Sequence, residues 1–186
     1  MPRRSEVKEY HLVACRAETR HQDLLLRWYG DSSIQKVLED GPCTTKYLHR
    51  KVTQLISSDP FRDGQCAVIL EMNSRPVALI HFMWINWISR TAEIDFTLLS
   101  GKPHGLVLGT MTIDKVAQIA FEEFNLRKLY AFIYGDNRRA LRFLGHYMHT
   151  EAVLKAYLKR GRRYEDTYVL GLTPAEYYAA VERHYK

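Results

Sequence analysis

Between Ala92 and Ala140 the hydrophobic period of the chain switches from strand to helix and back to strand, and this order constrains the fold more than any other feature. Ala92 to Leu99 reads as an apolar strand. Ile113, Val116, Ala117, Ala120, Phe121 and Phe124 share one face of a long helix, and Lys128 to Tyr134 forms a second apolar strand. Because that second run is apolar almost throughout, it predicts a strand covered on both faces. Between the first strand and the helix lies the turn His104-Gly105-Leu106-Val107-Leu108-Gly109, which opens directly into a helix from Thr110. Free backbone N–H groups and the positive end of the dipole at a helix start suit a pyrophosphate.

The remaining chain extends this pattern without a repeat, a low-complexity tract or a linker, so residues 1–186 read as a single domain. Tyr10 to Arg16 predicts an opening strand. Glu18 to Tyr29 predicts a helix stopped by Gly30-Asp31, and Thr44 or Thr45 is placed to cap a second helix carrying Tyr47, Leu48, Val52 and Leu55. Strands follow at Cys66–Met72, Pro76–Trp87 and Thr91–Leu99. A short helix from about Arg138 precedes a hairpin, Ala152–Leu158 with Tyr164–Leu170. Thr173-Pro174-Ala175-Glu176 caps a final helix with proline at its first position. The predicted order is β-α-α-β-β-β-α-β-α-β-β with a C-terminal helix, a mixed α/β sheet.

The 46% hydrophobic and 26% charged content is that of an ordinary globular chain, and no apolar run is long enough to span a membrane. The three cysteines lack metal-ligand spacing, and so do the histidines; His11, His21, His49 and His81 read as structural or surface residues. Free thiols in a cytoplasmic protein without a metal are the expectation. The net charge of +6 fits an anionic partner, but no nucleic-acid recognition motif accompanies it. Between residues 138 and 163 eight basic residues stand against Glu151 alone. They suit either phosphate contacts or a solvated hairpin tip. Trp84, Trp87, Tyr130, Phe132 and Tyr134 read as core or cleft wall.

Several segments, taken in order, carry a family resemblance. They are Leu24–Asp31, Arg90–Ile94, the stretch Ala120-Phe121-Glu122-Glu123-Phe124-Asn125-Leu126-Arg127-Lys128-Leu129-Tyr130, Asp136–Ala140 and Gly161–Leu172. With the phosphate-sized turn, they resemble the GNAT N-acyltransferases, in the branch of ribosomal-protein, spermidine and amino-sugar N-acetyltransferases. The resemblance implies acetyl-CoA as co-substrate. Phe96, Thr97, Leu98 and Leu99 would pair with pantetheine, and His104, Gly105, Leu106, Val107, Leu108, Gly109 and Thr110 would hold the pyrophosphate. Asn137, Ala140 and Phe143 would stand beside the cofactor where the central strands splay apart. It also implies a small-molecule amine, an amino sugar or a protein N-terminus as acceptor. A homodimer is compatible with it. The basic composition argues against a polyamine and for a neutral or anionic amino compound.

The sequence departs from the family at two places. The family's phosphate turn reads Arg/Gln-x-x-Gly-x-Gly/Ala, whereas here His104 and Val107 replace the first and middle positions. A β-branched residue resists positive φ, so Val107 implies either right-handed helical backbone or weaker pyrophosphate binding. The apolar run Leu106-Val107-Leu108 favours a loop rebuilt around Gly105 with Val107 packed inward. Second, Leu144 stands where the family often places a tyrosine that protonates the leaving thiolate. Tyr147, His146 and Tyr134 are substitutes by proximity in sequence. An acetyltransferase and a catalytically weakened binding module both remain open on these residues. Glu93 and Asp95, two apart on one strand, face the same side. Either one is a base whose pKa is raised by its neighbour, or both belong to a solvated or arginine-paired edge.

Overall fold

The computed structural model of the protein describes residues 12–31, 44–99 and 105–184. Strands β1 (Leu12–Arg16), β2 (Cys66–Met72), β3 (Arg75–Asn86), β4 (Thr91–Leu98), β5 (Lys128–Tyr134), β6 (His149–Arg160) and β7 (Arg163–Leu172) form one sheet in the order β1-β2-β3-β4-β5-β7-β6. Neighbours run antiparallel except for the parallel pair β4–β5. The described helices are α1 (Gln22–Tyr29), α2 (Thr45–Ser57), α3 (Gly105–Ala117), α4 (Arg138–Leu144) and α5 (Pro174–His184). The predicted element order is therefore realised, and Tyr10 and His11 of the predicted first strand lie outside the described residues.

Local chemistry sets several of the ends. The Thr44 hydroxyl accepts from the Tyr47 N–H at 3.2 Å and starts α2. Ahead of α1, Thr19–His21 makes one tight turn, so the predicted helix from Glu18 divides in two. The Glu176 carboxylate accepts from the Thr173 N–H at 2.8 Å and Pro174 opens α5. After α3 the chain widens into one π-type stretch, Gln118–Glu123, before β5.

Strand alternation divides the core between the two faces of the sheet. Ala67, Ile69 and Leu79 face α1 and α2 with Leu25, Trp28, Val52 and Leu55. Val68, Ile80, Phe82, Ile94, Leu129 and Leu170 face the other way, against Ile113 and Val116 of α3 and Tyr177 and Ala180 of α5. Full burial of a side chain such as Ile113 contributes roughly 1.5–3 kcal/mol, which fixes α3 on that face.

Two expectations are corrected. Helix α3 begins at Gly105, not Thr110, so Val107, Leu108 and Gly109 belong to its first turns; His104 lies outside the described residues. Successive helical residues point about 100° apart, so Leu106-Val107-Leu108 cannot all face the core. Leu108 is 3% exposed and Val107 is 54% exposed, which overturns the inward-packed Val107. Its backbone is right-handed helical, the first of the two alternatives. The second correction concerns β5, where Leu129 and Ala131 are buried but Phe132 on the other face is 37% exposed. Apolar composition could not show that α1 and α2 cover β1–β3 and stop short of β5.

Candidate active site

β4 and β5 stay together for three residue pairs only, Thr91 with Lys128, Ala92 with Leu129 and Glu93 with Tyr130. Beyond Glu93, β4 continues along β3 as far as Leu98, paired with Ala78. β5 follows β7 as far as Tyr134, paired with Thr167. The strands therefore part, and the inner edge of β4 from Ile94 to Leu98 has no strand partner. An unpaired edge takes an extended ligand as an added strand. Phe96, Thr97 and Leu98 lie on it. The Leu99 N–H is already committed to the Val77 carbonyl at 2.7 Å.

On the α3–α5 face several predicted residues come together. The Phe143 ring of α4 packs 6.4 Å from Phe96 and 5.7 Å from Tyr147. A Cβ at Gly109 would meet Phe143 Cζ at 3.0 Å, so this glycine permits α3 and α4 to approach closely. That is a packing role. Tyr147 is buried, and its hydroxyl is 3.5 Å from Thr110 Oγ1 in α3. Leu144, at the family's usual tyrosine position, is buried too. Asn137 Oδ1 accepts from the Ala140 N–H at 3.1 Å and caps α4. Beside it Arg160 meets Asp136 at 3.4 Å and lies 5.3 Å over the Tyr134 ring, tying the β6–β7 hairpin to the end of β5.

The opposite face carries the carboxylates. Glu93 is half-buried, and burial first, then the charge of Asp95, raises its pKa above the ordinary glutamate value. Asp95 is open to water, yet protein atoms crowd around its carboxyl, as at the floor of a concave surface. This crowding raises its pKa, while the Lys51 ammonium and the Phe96 N–H oppose the rise. Because water still reaches Asp95, its desolvation is partial. No arginine pairs with either carboxylate among the described residues, which disfavours the ion-paired edge.

Sequence reasoning missed two groups here. One is His81, a structural or surface residue by sequence, which lies opposite Asp95 in the β3–β4 register. Burial first and Lys51 second push its pKa down to about 4, and its Nε2 is buried without a hydrogen-bond partner. One polar residue inside the apolar run Val77–Phe82 was the available signal. Lys51 reaches the face from α2, 4.9 Å from the Tyr29 ring centroid. Its place between Leu48 and Leu55 at helical spacing was the available signal.

His81 makes a definite contribution to acid sensitivity. It is neutral in the folded chain down to about pH 4, whereas the unfolded side chain takes a proton near pH 6.5. The unfolded state binds more protons in that window, so stability falls with pH through it. Between pH 7 and pH 5 the group removes about 2 kcal/mol, a loss that His81→Leu abolishes in urea unfolding at the two pH values. Equal pH slopes for both proteins would contradict the assignment.

The described residues contain one cluster with metal-ligand atoms, Cys15, His21 and Glu71, within 4.8 Å of one another. His21 Nδ1 accepts from the Glu18 N–H at 3.0 Å, which leaves the ring hydrogen on Nε2, facing Glu71 at 3.4 Å. The Arg20 guanidinium lies 3.5 Å from the Cys15 sulfur. Tautomer and neighbouring cation both oppose a metal there. No described helix is long and apolar enough to cross a membrane.

The acetyltransferase (GNAT) domain family matches residues 12–147. No curated protein matches the chain in sequence. Among solved structures, spermidine N-acetyltransferase from Vibrio cholerae in complex with CoA and spermine is 18% identical. It has a TM-score of 0.75 and covers 90% of this chain and 98% of its own. A dodecameric form of the Vibrio cholerae enzyme in an intermediate state gives 17%, a TM-score of 0.68, and coverage of 89% and 95%. A probable acetyltransferase gives 15%, 0.71, and coverage of 89% and 94%. At such identities the likeness carries the fold, while the domain match covers most of the chain. Taken with the parted β4–β5 pair, that match places this chain in the GNAT acetyltransferase family, as an N-acetyltransferase.

Proposed function

We propose that the protein transfers an acetyl group to a primary amine by direct attack within a ternary complex. The observation that carries this reading is the parting of β4 and β5 immediately beyond Glu93, beside a carboxylate with a raised pKa. The inner edge of Phe96–Leu98 receives the pantetheine arm, and the backbone N–H groups of Gly105 to Leu108 face the pyrophosphate. Glu93 takes a proton from the bound ammonium, directly or through one water, and the neutral nitrogen then attacks the thioester carbon. A backbone N–H near Leu98 stabilises the oxyanion until the C–S bond breaks. Tyr147, whose hydroxyl lies 3.5 Å from Thr110 Oγ1, returns a proton to the thiolate. The CoA complex with spermine in a fold neighbour supports an amine acceptor, and the neighbour's dodecamer supports assembly of this chain into a dimer or more.

A screen of primary amines with detection of free thiol tests the reaction. The expected result is thiol release with at least one amine and its loss in Glu93→Gln. Leu144 in place of a tyrosine favours the second reading, a binding module. That reading is supported if acetyl-CoA binds without thiol release for any acceptor.

A further inference from the structure

The acceptor face of the sheet carries a fixed cation as well as its two carboxylates. On α2, Leu48, Lys51 and Leu55 stand three and four residues apart, so Lys51 lies on the stripe that turns towards the sheet. Leu55 and the adjacent Val52 are buried there, and Lys51 is half-buried. The ring of Tyr29, buried at the end of α1, holds the ammonium at 4.9 Å. The charge of Asp95 acts on both Tyr29 and Lys51, and Lys51 acts on His81, the cross-strand partner of Asp95. These four side chains therefore form one cluster on the floor and wall of the cleft, two residues along β4 from Glu93.

The charges facing this space can be counted among the described residues. Glu93 and Asp95 are negative and Lys51 is positive. His81 is neutral at physiological pH, as are Tyr29 and Tyr130. Further along the same face, Glu151 lies over Gly171 and is paired with Lys128 at 2.6 Å, so that pair cancels itself. Lys51 offsets Asp95, and Glu93 alone remains for an incoming ammonium.

We propose that Lys51 is a specificity-determining residue: its ammonium beside Asp95 leaves one uncompensated carboxylate among the described residues of the acceptor cleft, so the cleft selects an amine carrying a single positive charge and rejects polyamines. A second ammonium on the acceptor meets a like charge and, among the described residues, finds no carboxylate of its own. An unpaired charge and a like-charge contact are the two devices by which a site excludes a competitor. The inference rests on the acyl-transfer reading, in which amines enter from the Glu93 side, but it is measured as a ratio between two acceptors. It also separates this chain from the fold neighbour whose complex contains spermine.

Butylamine and spermidine are the probes, since they share a four-carbon arm and differ in charge. Their affinities for the CoA-saturated protein are measured by calorimetry, and their kcat/KM values by thiol release. The wild type is expected to favour butylamine by about tenfold or more in both ratios. Lys51→Met is expected to erase or invert the preference and Lys51→Arg to keep it. A wild type that favours spermidine, or a ratio unmoved by Lys51→Met, overturns the proposal; the wild-type ratio decides even if a variant misfolds. Absence of thiol release with both amines refutes the acyl-transfer reading, while the binding ratio still judges Lys51.

Discussion

Glu93→Gln lowers kcat/KM at pH 7 by about 10²- to 10⁴-fold, the range for loss of a general base, and Asp95→Asn lowers it less. Glu93 sits where β4 and β5 part, whereas Asp95 lies two residues further on and bears on Glu93 mainly through its charge. Raising the pH deprotonates the free amine, so the variant's deficit shrinks under alkaline conditions. The same substitution should stabilise the protein at neutral pH. A raised carboxyl pKa means that the folded state binds more protons than the unfolded one between the ordinary value and the raised one. Stability of the wild type therefore falls as pH rises through that window and stays lower above it. Glutamine removes this cost, and the gain disappears below about pH 4, where both states are protonated. A pH-independent rate loss, or a variant less stable than wild type at pH 7, would count against burial of an active base.

Gly109→Val destabilises the protein by about 1–3 kcal/mol, the usual range for overpacking, and weakens acetyl-CoA binding with it. Even a Cβ here would lie 3.0 and 3.2 Å from two atoms of the Phe143 ring, so the larger valine must displace that ring. That ring also supports Phe96 on the inner edge of β4, so the displacement reaches the cofactor side of the cleft. In a double-mutant cycle, Phe143→Ala opens the space and the combined cost falls below the sum by roughly 0.5–3 kcal/mol. Unchanged melting of Gly109→Val would mean that the two helices do not need their close approach.

Much of this arrangement was legible wherever one local rule decided it. Period-two alternation placed Glu93 and Asp95 on a common face, and turn residues bounded β2 and β5 correctly. Thr44 was readable as a cap because a short polar side chain ahead of a helical stripe has few other uses. The start of α3 was misplaced because Gly105 and Gly109 suggested a turn, whereas Gly109 is small to admit Phe143 from another helix. The open face of β5 was misread for a related reason: a run of apolar residues does not reveal how far α1 and α2 extend across the sheet. Lys51 comes to Asp95 through the packing of α2 on the sheet, and His81 through the β3–β4 register. Their roles depend on tertiary neighbours that no spacing along the chain encodes.

Hydrogen exchange with and without acetyl-CoA tests the central claim most directly, that the parted β4–β5 edges and the start of α3 form the cofactor cleft. The account predicts protection of amides on β4 from Ile94 to Leu98 and in the first turns of α3 from Gly105, with further slowing around Asn137. Helices α1 and α2 should change little. Protection confined to α1 and α2, or none along β4 and α3 at saturating acetyl-CoA, would contradict it.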